Sequence, residues 1–399
     1  MNLQPPPGAA STKTDGFFDA NAGDLSLFQD LTSQSLDPVT VPHASQVERN
    51  VPIYDMAVLS PKLAELDTRR ALLSEWAWVL GHSAGVVVLK GAYADTSPID
   101  RASTLFHEII AQEKQADAGK GDHFAASGAN DRIWNSLQKH CLHDPDGFAR
   151  YYGNPAIASV AEAWLGPNYQ MTAQVNLVWP GGQAQQAHRD YHLGFQNAEG
   201  AARYPVHAHL VTATLTLQGA IAHCDMSVES GPTKLLPFSQ LYPPGYVAFH
   251  DAAHRDHFET MYVQLPLSKG DAVFFNPALF HAAGENRTTD VQRLVNLLQV
   301  SSAFGRAMEA IDRRAMSTTL LPVLLHLHST ADLGPLELDA AIAATAEGYA
   351  FPTNLDTDPP VGGNAPATQA DTLRQAVREQ WTTDMFDAAL DALQSRQQP

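Results

Sequence analysis

The triplet His188-Arg189-Asp190 lies in QQAHRDYHLGF, residues 185–195, and the same triplet recurs at 254–256 in HDAAHRDHFE. A histidine and an aspartate two apart can be half of a metal site, part of a kinase-like catalytic loop, or a polar turn. The kinase arrangement needs an asparagine five residues after the aspartate, but position 195 is Phe, and no DFG triplet or glycine-rich phosphate loop accompanies it. The metal arrangement needs a second histidine from a distant strand. Two histidines and one carboxylate on one face of an ion leave three positions open, which suits non-haem Fe(II) and O2 chemistry. His188 and Asp190, two apart at a strand end, point the same way and can take adjacent positions. His281, in GDAVFFNPALFHAAGENRTTDVQR, is the distal candidate, and a further strand with Arg293 follows. Between Asp190 and His281 lie about 90 residues, room for several strands of about 5–6 residues with their turns.

The second triplet, His254 and Asp256, sits in a polar run with no clear strand leading into it, and reads as a solvated loop. His207 and His209 in VHAHLV would face one way on a strand, as in the HxH of a cupin. No glutamate follows in LVTATLTLQG, so they read as strand residues near a barrel wall or lining a substrate pocket.

Elements that could position these groups follow from periodicity. Apolar residues at helical spacing predict helices after Pro61 in KLAELDTRRALLSEWAWVLGHS, at 98–116, and at 155–166, the last closed by Gly166. GVVVLKGAY (85–93) is a short β-branched run, and AGKGDHFAASGAND reads as a loop. From residue 169 onward YQMTAQVNLVW, YPVHAHLVTATLTLQG (204–219), HFETMYVQLP (257–266), DAVFFN and VQRLVNLLQVSS read as strands between Pro/Gly-rich turns. Strands without intervening helices argue for an antiparallel sandwich or jelly roll behind a helical layer. Residues 1–50 read as an irregular leader and 306–399 as a helical extension. In that extension Leu373, Val377, Trp381, Met385, Ala388 and Ala389 form a stripe near one helix face. Such a stripe must be covered by the chain itself or by a second copy, and homo-oligomerisation is the reading favoured here.

The chain has 399 residues, enough for a large core, and its 43 acids against 25 bases give −18. That balance disfavours nucleic acid and anionic membrane surfaces as partners, since both need basic patches. Cys141 and Cys224 are the two cysteines, too few for a disulfide framework or a zinc ribbon. No apolar run approaches 18 residues, and MNLQPPPGAASTKTDG lacks the basic and apolar regions of a signal peptide, so a cytoplasmic protein is expected.

In order, GVVVLKG, HRD, ESGPTKLLPFSQ and GDAVFFNPALFHAAGENRT with the later arginine resemble the phytanoyl-CoA dioxygenase family of Fe(II)/2-oxoglutarate oxygenases, from about Gly85 to Ser302. The resemblance implies an α+β, β-rich fold: a double-stranded β-helix of jelly-roll or cupin-like form over 51–305, with flanking helices. It implies His188, Asp190 and His281 as iron ligands and Arg293 as the anchor of the 2-oxoglutarate distal carboxylate. The implied activity is hydroxylation or other oxidation of a C–H bond of a small-molecule substrate, using O2 and releasing succinate and CO2. The sequence departs from the family at Gln240, where a histidine is common, at Ala283, where a small hydroxyl is common, and in the spacing from His281 to Arg293, longer by one residue. Arg287 is the competing anchor; Arg293 is preferred because alternation puts it on one strand face with Val295, Leu297 and Gln299. Gln174 and Asn176, alternating on a strand, are candidate donors to cosubstrate or substrate. Tyr191, His192 and Phe195 either flank the substrate pocket or pack on the barrel rim. Two other classes stay open: a non-oxidative jelly-roll metalloenzyme, such as an isomerase or lyase, and a non-catalytic binding protein.

Overall fold

The computed structural model describes residues 16–116, 130–350, 355–363 and 365–398. The stretch 117–129, most of the loop expected at AGKGDHFAASGAND, lies outside the described residues, as do residues 1–15.

Among the described residues there are ten strands: β1 (Gln46–Glu48), β2 (Val51–Asp55), β3 (Val86–Lys90), β4 (Asn130–Ile133), β5 (Gln170–Val178), β6 (Thr216–Ala222), β7 (Lys234–Leu235), β8 (Ala272–Phe275), β9 (His281–Ala282) and β10 (Arg293–Ser301). Eight form one sheet in the order β1-β2-β3-β8-β6-β10-β5-β4, antiparallel except between β2 and β3. A smaller sheet pairs β7 with β9 and is extended by single bridges, His188 to His281 and Leu235 to Val263. In chain order the backbone passes between the large sheet (β5), the small one (His188), the large (β6), the small (β7, Val263), the large (β8), the small (β9) and the large (β10). That alternation is the jelly roll expected from the sequence.

Strand β10 shows how the large sheet is buried on both sides. Register pairs Val295 with Asn176 and Ala222, Leu297 with Gln174 and Ala220, and Gln299 with Thr172 and Gln218, so these residues share one face. Phe275, paired with Gln218, joins them. The opposite face carries Asn296, whose amide donates to the hydroxyls of Tyr151 and Tyr152 at 3.1 and 3.0 Å on the helix Pro145–Tyr152. Helices therefore cover one face of the sheet, and the small sheet covers the other. The helix Pro145–Tyr152 starts with Asp144 capping the Gly147 amide and Pro145 at its first position, a favourable arrangement because proline has no N–H to leave unpaired.

Several elements differ from expectation. The leader is not irregular where it is described: Asp24 caps a helix, Leu25–Thr32, whose Phe28 packs on Tyr242 and Phe280. Parts of two segments read as strands, 204–219 and 257–266, lie in helices, Val206–Thr212 and Ala252–Met261; strand formation in the first starts only at Thr216, and the second reaches the small sheet at Val263. Val, Thr and His give weak local preferences that tertiary packing overrides. A helix turns about 100° per residue, so residues two apart point nearly opposite ways. His209 is accordingly buried against Phe18 and Tyr246 while His207 is exposed, and neither is a strand residue. His254 is buried, with Asp251 at 2.8 Å from its Nδ1, while Asp256 is exposed; the second His-Arg-Asp is not a solvated loop.

The C-terminal stripe is also redrawn. Gln380 adopts a left-handed conformation (φ 56°) and divides the segment into helices Gln369–Glu379 and Thr383–Gln397. Thr368 and Asp371 form a capping box that starts the first of these. The break rotates the second helix, so Met385 is 52% exposed and Phe386, Leu390 and Leu393 are buried instead. Both helices pack on the helix Arg313–Ser329, so the redrawn apolar face with Leu373, Val377, Phe386, Leu390 and Leu393 is covered within the chain, while Met385 is not part of it. Replacing fully buried Phe386 by Ala should cost about 3–5 kcal/mol, while Met385→Ala should stay within about 0.5 kcal/mol. Denaturant midpoints of the two variants test this, and equal losses would contradict the assigned face.

Candidate metal centre

His188 and His281 sit directly opposite each other where the two segments of the small sheet meet. The His188 amide donates to the His281 carbonyl at 3.0 Å, and the His281 amide returns the bond at 3.1 Å. The Asp190 amide donates to the Pro277 carbonyl at 3.0 Å. These bonds hold both segments extended, so the histidine and aspartate two apart project to the same side. Ligand-capable atoms of His188, Asp190 and His281 all lie within 4.8 Å of one another, the one group of three such residues among those described.

The ring tautomers are set by the backbone. Nδ1 of His188 lies 2.8 Å from the Gln186 carbonyl, and Nδ1 of His281 lies 2.8 Å from the Leu279 carbonyl. A carbonyl only accepts, so each Nδ1 carries the proton, and each neutral ring keeps its lone pair on Nε2. Those Nε2 atoms face the carboxylate: His281 at 3.4 Å from Asp190 Oδ2, and His188 at 3.7 Å from Oδ1. Tying the far nitrogen to a carbonyl is the support that metal-ligating histidines use.

Burial pushes the His188 imidazole below its ordinary value, helped by His281 and opposed by Asp190. Burial would raise the Asp190 carboxyl, but its neighbours His281, His188 and Gln218, the last donating to Oδ2, outweigh it and hold it at about 2. A neutral histidine beside an ionised carboxylate is the protonation state that a divalent ion requires.

Arginine 189, in the middle of the triplet, points to the other side. Its guanidinium donates to the carbonyls of Ser239 (2.5 Å) and Tyr242 (3.0 Å) and lies over the rings of Tyr246 and Phe280. Residue 245 must be Gly, because a Cβ there would overlap this guanidinium. The chain then turns sharply, with Tyr191 and His192 at positive φ (64° and 44°), a strain that non-glycine residues rarely carry.

Arg293 opens β10 on the face shared with Gln218 and Phe275 and is 4% exposed. Its guanidinium donates to the carbonyls of Ser230 (2.8 Å) and Gly284 (3.2 Å), and no carboxylate pairs with it among the described residues. Burial pushes it down to about 10, so it stays cationic at neutral pH. Arg287 is exposed in the turn. Gln174 and Asn176 are on the same face as Arg293, but Gln174 is already engaged at both ends, accepting from Arg132 (3.0 Å) and donating to Gln299 (3.2 Å). Asn176 keeps a buried, unpartnered carbonyl oxygen. Tyr191 is buried, His192 meets the Thr212 hydroxyl at 2.8 Å, and Phe195 is 62% exposed, edge-on to Tyr191. Three neighbours of the triad escaped sequence reasoning: Arg189, Gln218, whose Nε2 donates to Asp190 Oδ2, and Phe275, whose ring centroid is 4.8 Å from that of His281. For Gln218 the available signal was a lone amide in the otherwise apolar run TLQGAIA.

Known proteins resemble this chain over part of its length. A dioxygenase named trt7, from Aspergillus terreus, is 25% identical over 206 residues, covering 49% of this chain and 66% of the relative. An uncharacterised protein of Saccharomyces cerevisiae is 28% identical over 160 residues, 40% of this chain and 41% of the relative. The chain thus spans less than two thirds of either relative's length. Among solved structures, the non-heme alpha ketoglutarate dependent epimerase SnoN from nogalamycin biosynthesis aligns over 59% of this chain and 82% of its own, at 22% identity and a TM-score of 0.42. The family model described as Phytanoyl-CoA dioxygenase (PhyH) matches residues 81–294, more than half of the sequence and the whole span from β3 to Arg293, and the chain belongs to that family.

Proposed function

We propose that the protein is an Fe(II)- and 2-oxoglutarate-dependent dioxygenase acting on a C–H bond of a small organic molecule. The observation that carries this reading is the convergence of His188, Asp190 and His281 within 4.8 Å, each imidazole presenting Nε2. Two neutral nitrogens and one carboxylate suit Fe(II) and leave open positions for a chelating cosubstrate and O2. When bound, iron with 2-oxoglutarate and O2 supplies the two-electron oxidation of the C–H bond, releasing succinate and CO2.

The chain's own part is binding and positioning. Arg293 offers a buried cation without a carboxylate partner, and a guanidinium holds a carboxylate through two parallel bonds. Unlike a metalloenzyme that catalyses isomerisation or elimination without a second acid, this site has a use for that cation. Asn176, with its free carbonyl oxygen on the same face, can accept from a donor on the substrate. Tyr191, buried directly after Asp190, and Phe195, edge-on to it, supply apolar surface that fits an organic substrate better than a polyphosphate. No helix among the described residues is long and apolar enough to cross a membrane.

His188→Ala, Asp190→Ala and His281→Ala should each abolish Fe(II)-dependent conversion of 2-oxoglutarate to succinate with the fold retained. His254→Ala should keep that turnover and instead lose about 1–3 kcal/mol of stability, since its ring is buried against Phe28 and Tyr242. Turnover lost in the His254 variant and kept in the others would reverse the assignment. Arg293→Ala should weaken 2-oxoglutarate binding at saturating Fe(II) by about 2–5 kcal/mol, roughly tens- to thousands-fold. Arg287→Ala, on an exposed turn, should cost under about 1 kcal/mol. Anaerobic titration of the visible charge-transfer band measures both, and a crippled Arg287 variant would move the anchor to the turn.

A further inference from the structure

We propose that Gln218 is a positioning residue for the metal site: its Nε2 donates to Asp190 Oδ2 and fixes the carboxylate so that Oδ1 is presented to the ion. The inference rests on the metal-site reading above and adds how the single acid of the triad is held.

A carboxylate on a short side chain has little rotational preference of its own, because its terminal torsion is broad and twofold. Which oxygen faces an ion must therefore be decided by the surroundings. Asp190 leaves the small sheet, and no backbone amide among the described residues donates to its carboxylate. Oδ2 has two neighbours, Gln218 Nε2 and His281 Nε2 at 3.4 Å, and Oδ1 has His188 Nε2 at 3.7 Å. Gln218 comes from the facing sheet, on β6, in register with Gln299 on β10 and Phe275 on β8. The hydrogen bond therefore joins the two sheets across the site. With Oδ2 held by this donor, Oδ1 is the less encumbered oxygen for monodentate ligation.

The amide orientation follows from the same contact. With Nε2 toward Asp190 the amide donates to the carboxylate. The reverse orientation would set the amide oxygen against a carboxylate oxygen, two acceptors facing each other, a cost that buried polar groups avoid.

The test uses the full chain and Co(II) alone, titrated anaerobically and followed by its visible absorption. Gln218→Met keeps the length of the side chain and loses the donor. It should bind Co(II) about ten- to a hundredfold more weakly with an unchanged far-ultraviolet spectrum, the usual effect of removing a group that supports a ligand. Wild-type affinity in Gln218→Met would overturn the inference and leave the metal site standing. A wild-type chain that binds no Co(II) would remove both. If Gln218→Met does not fold, the infrared difference between metal-bound and metal-free wild type decides. Widely split carboxylate bands, as for one bound oxygen, support the proposal, and the narrow splitting of two bound oxygens overturns it.

Discussion

The site depends on one pair of backbone hydrogen bonds, exchanged between His188 and His281. They bring together two segments more than ninety residues apart and force both to be extended at the point where the ligands leave the chain. In an extended segment, residues two apart share a side. Without that pairing, His188 and Asp190 would be two polar residues in a loop, and His281 would have nothing to face. The jelly roll supplies the pairing by returning the chain to the small sheet between β8 and β10.

The second His-Arg-Asp tests this argument within the same molecule. His254 and Asp256 have the same identities and spacing, but they lie on a helix, where a step of two residues is more than half a turn. The histidine goes into the core beside Phe28 and the acid into solvent. The paired histidines of VHAHLV divide in the same way on the helix Val206–Thr212. Metal-ligand spacing in a sequence is thus a statement about chemistry only once the backbone conformation is known.

This also explains how far the sequence could be read. Long segments with a clear period, such as β5, β10 and the helices at 97–116 and 155–165, form as their patterns predict, because burial of one or both faces fixes them. Misread segments are short and mixed, with β-branched residues and histidines whose local preference is small beside their packing. The C-terminal stripe failed at one residue: a left-handed Gln380 rotates all that follows, and a periodicity argument cannot anticipate a break at a residue that commonly continues helices. Of the candidate site, the meeting of His188, Asp190 and His281 was legible because their spacing and order are unusual. Gln218 was not, since its meaning comes from register across β6, β10 and β8.

Arg189 shows why the triplet's middle residue matters as much as its ends. Alternation that sends His188 and Asp190 toward the site sends Arg189 the opposite way, into a nearly closed environment. A buried guanidinium is costly unless its donors are met, and here two carbonyls, from Ser239 and Tyr242, and two aromatic faces take it in. Those carbonyls belong to the turn that follows β7, the strand paired with His281's own strand. Arg189 therefore links the segment carrying His188 and Asp190 to the support of the strand carrying His281, from behind the candidate site. Displacing it would release that segment while leaving all three side chains chemically intact. The geometry of the candidate metal centre thus rests on a cation that points away from it.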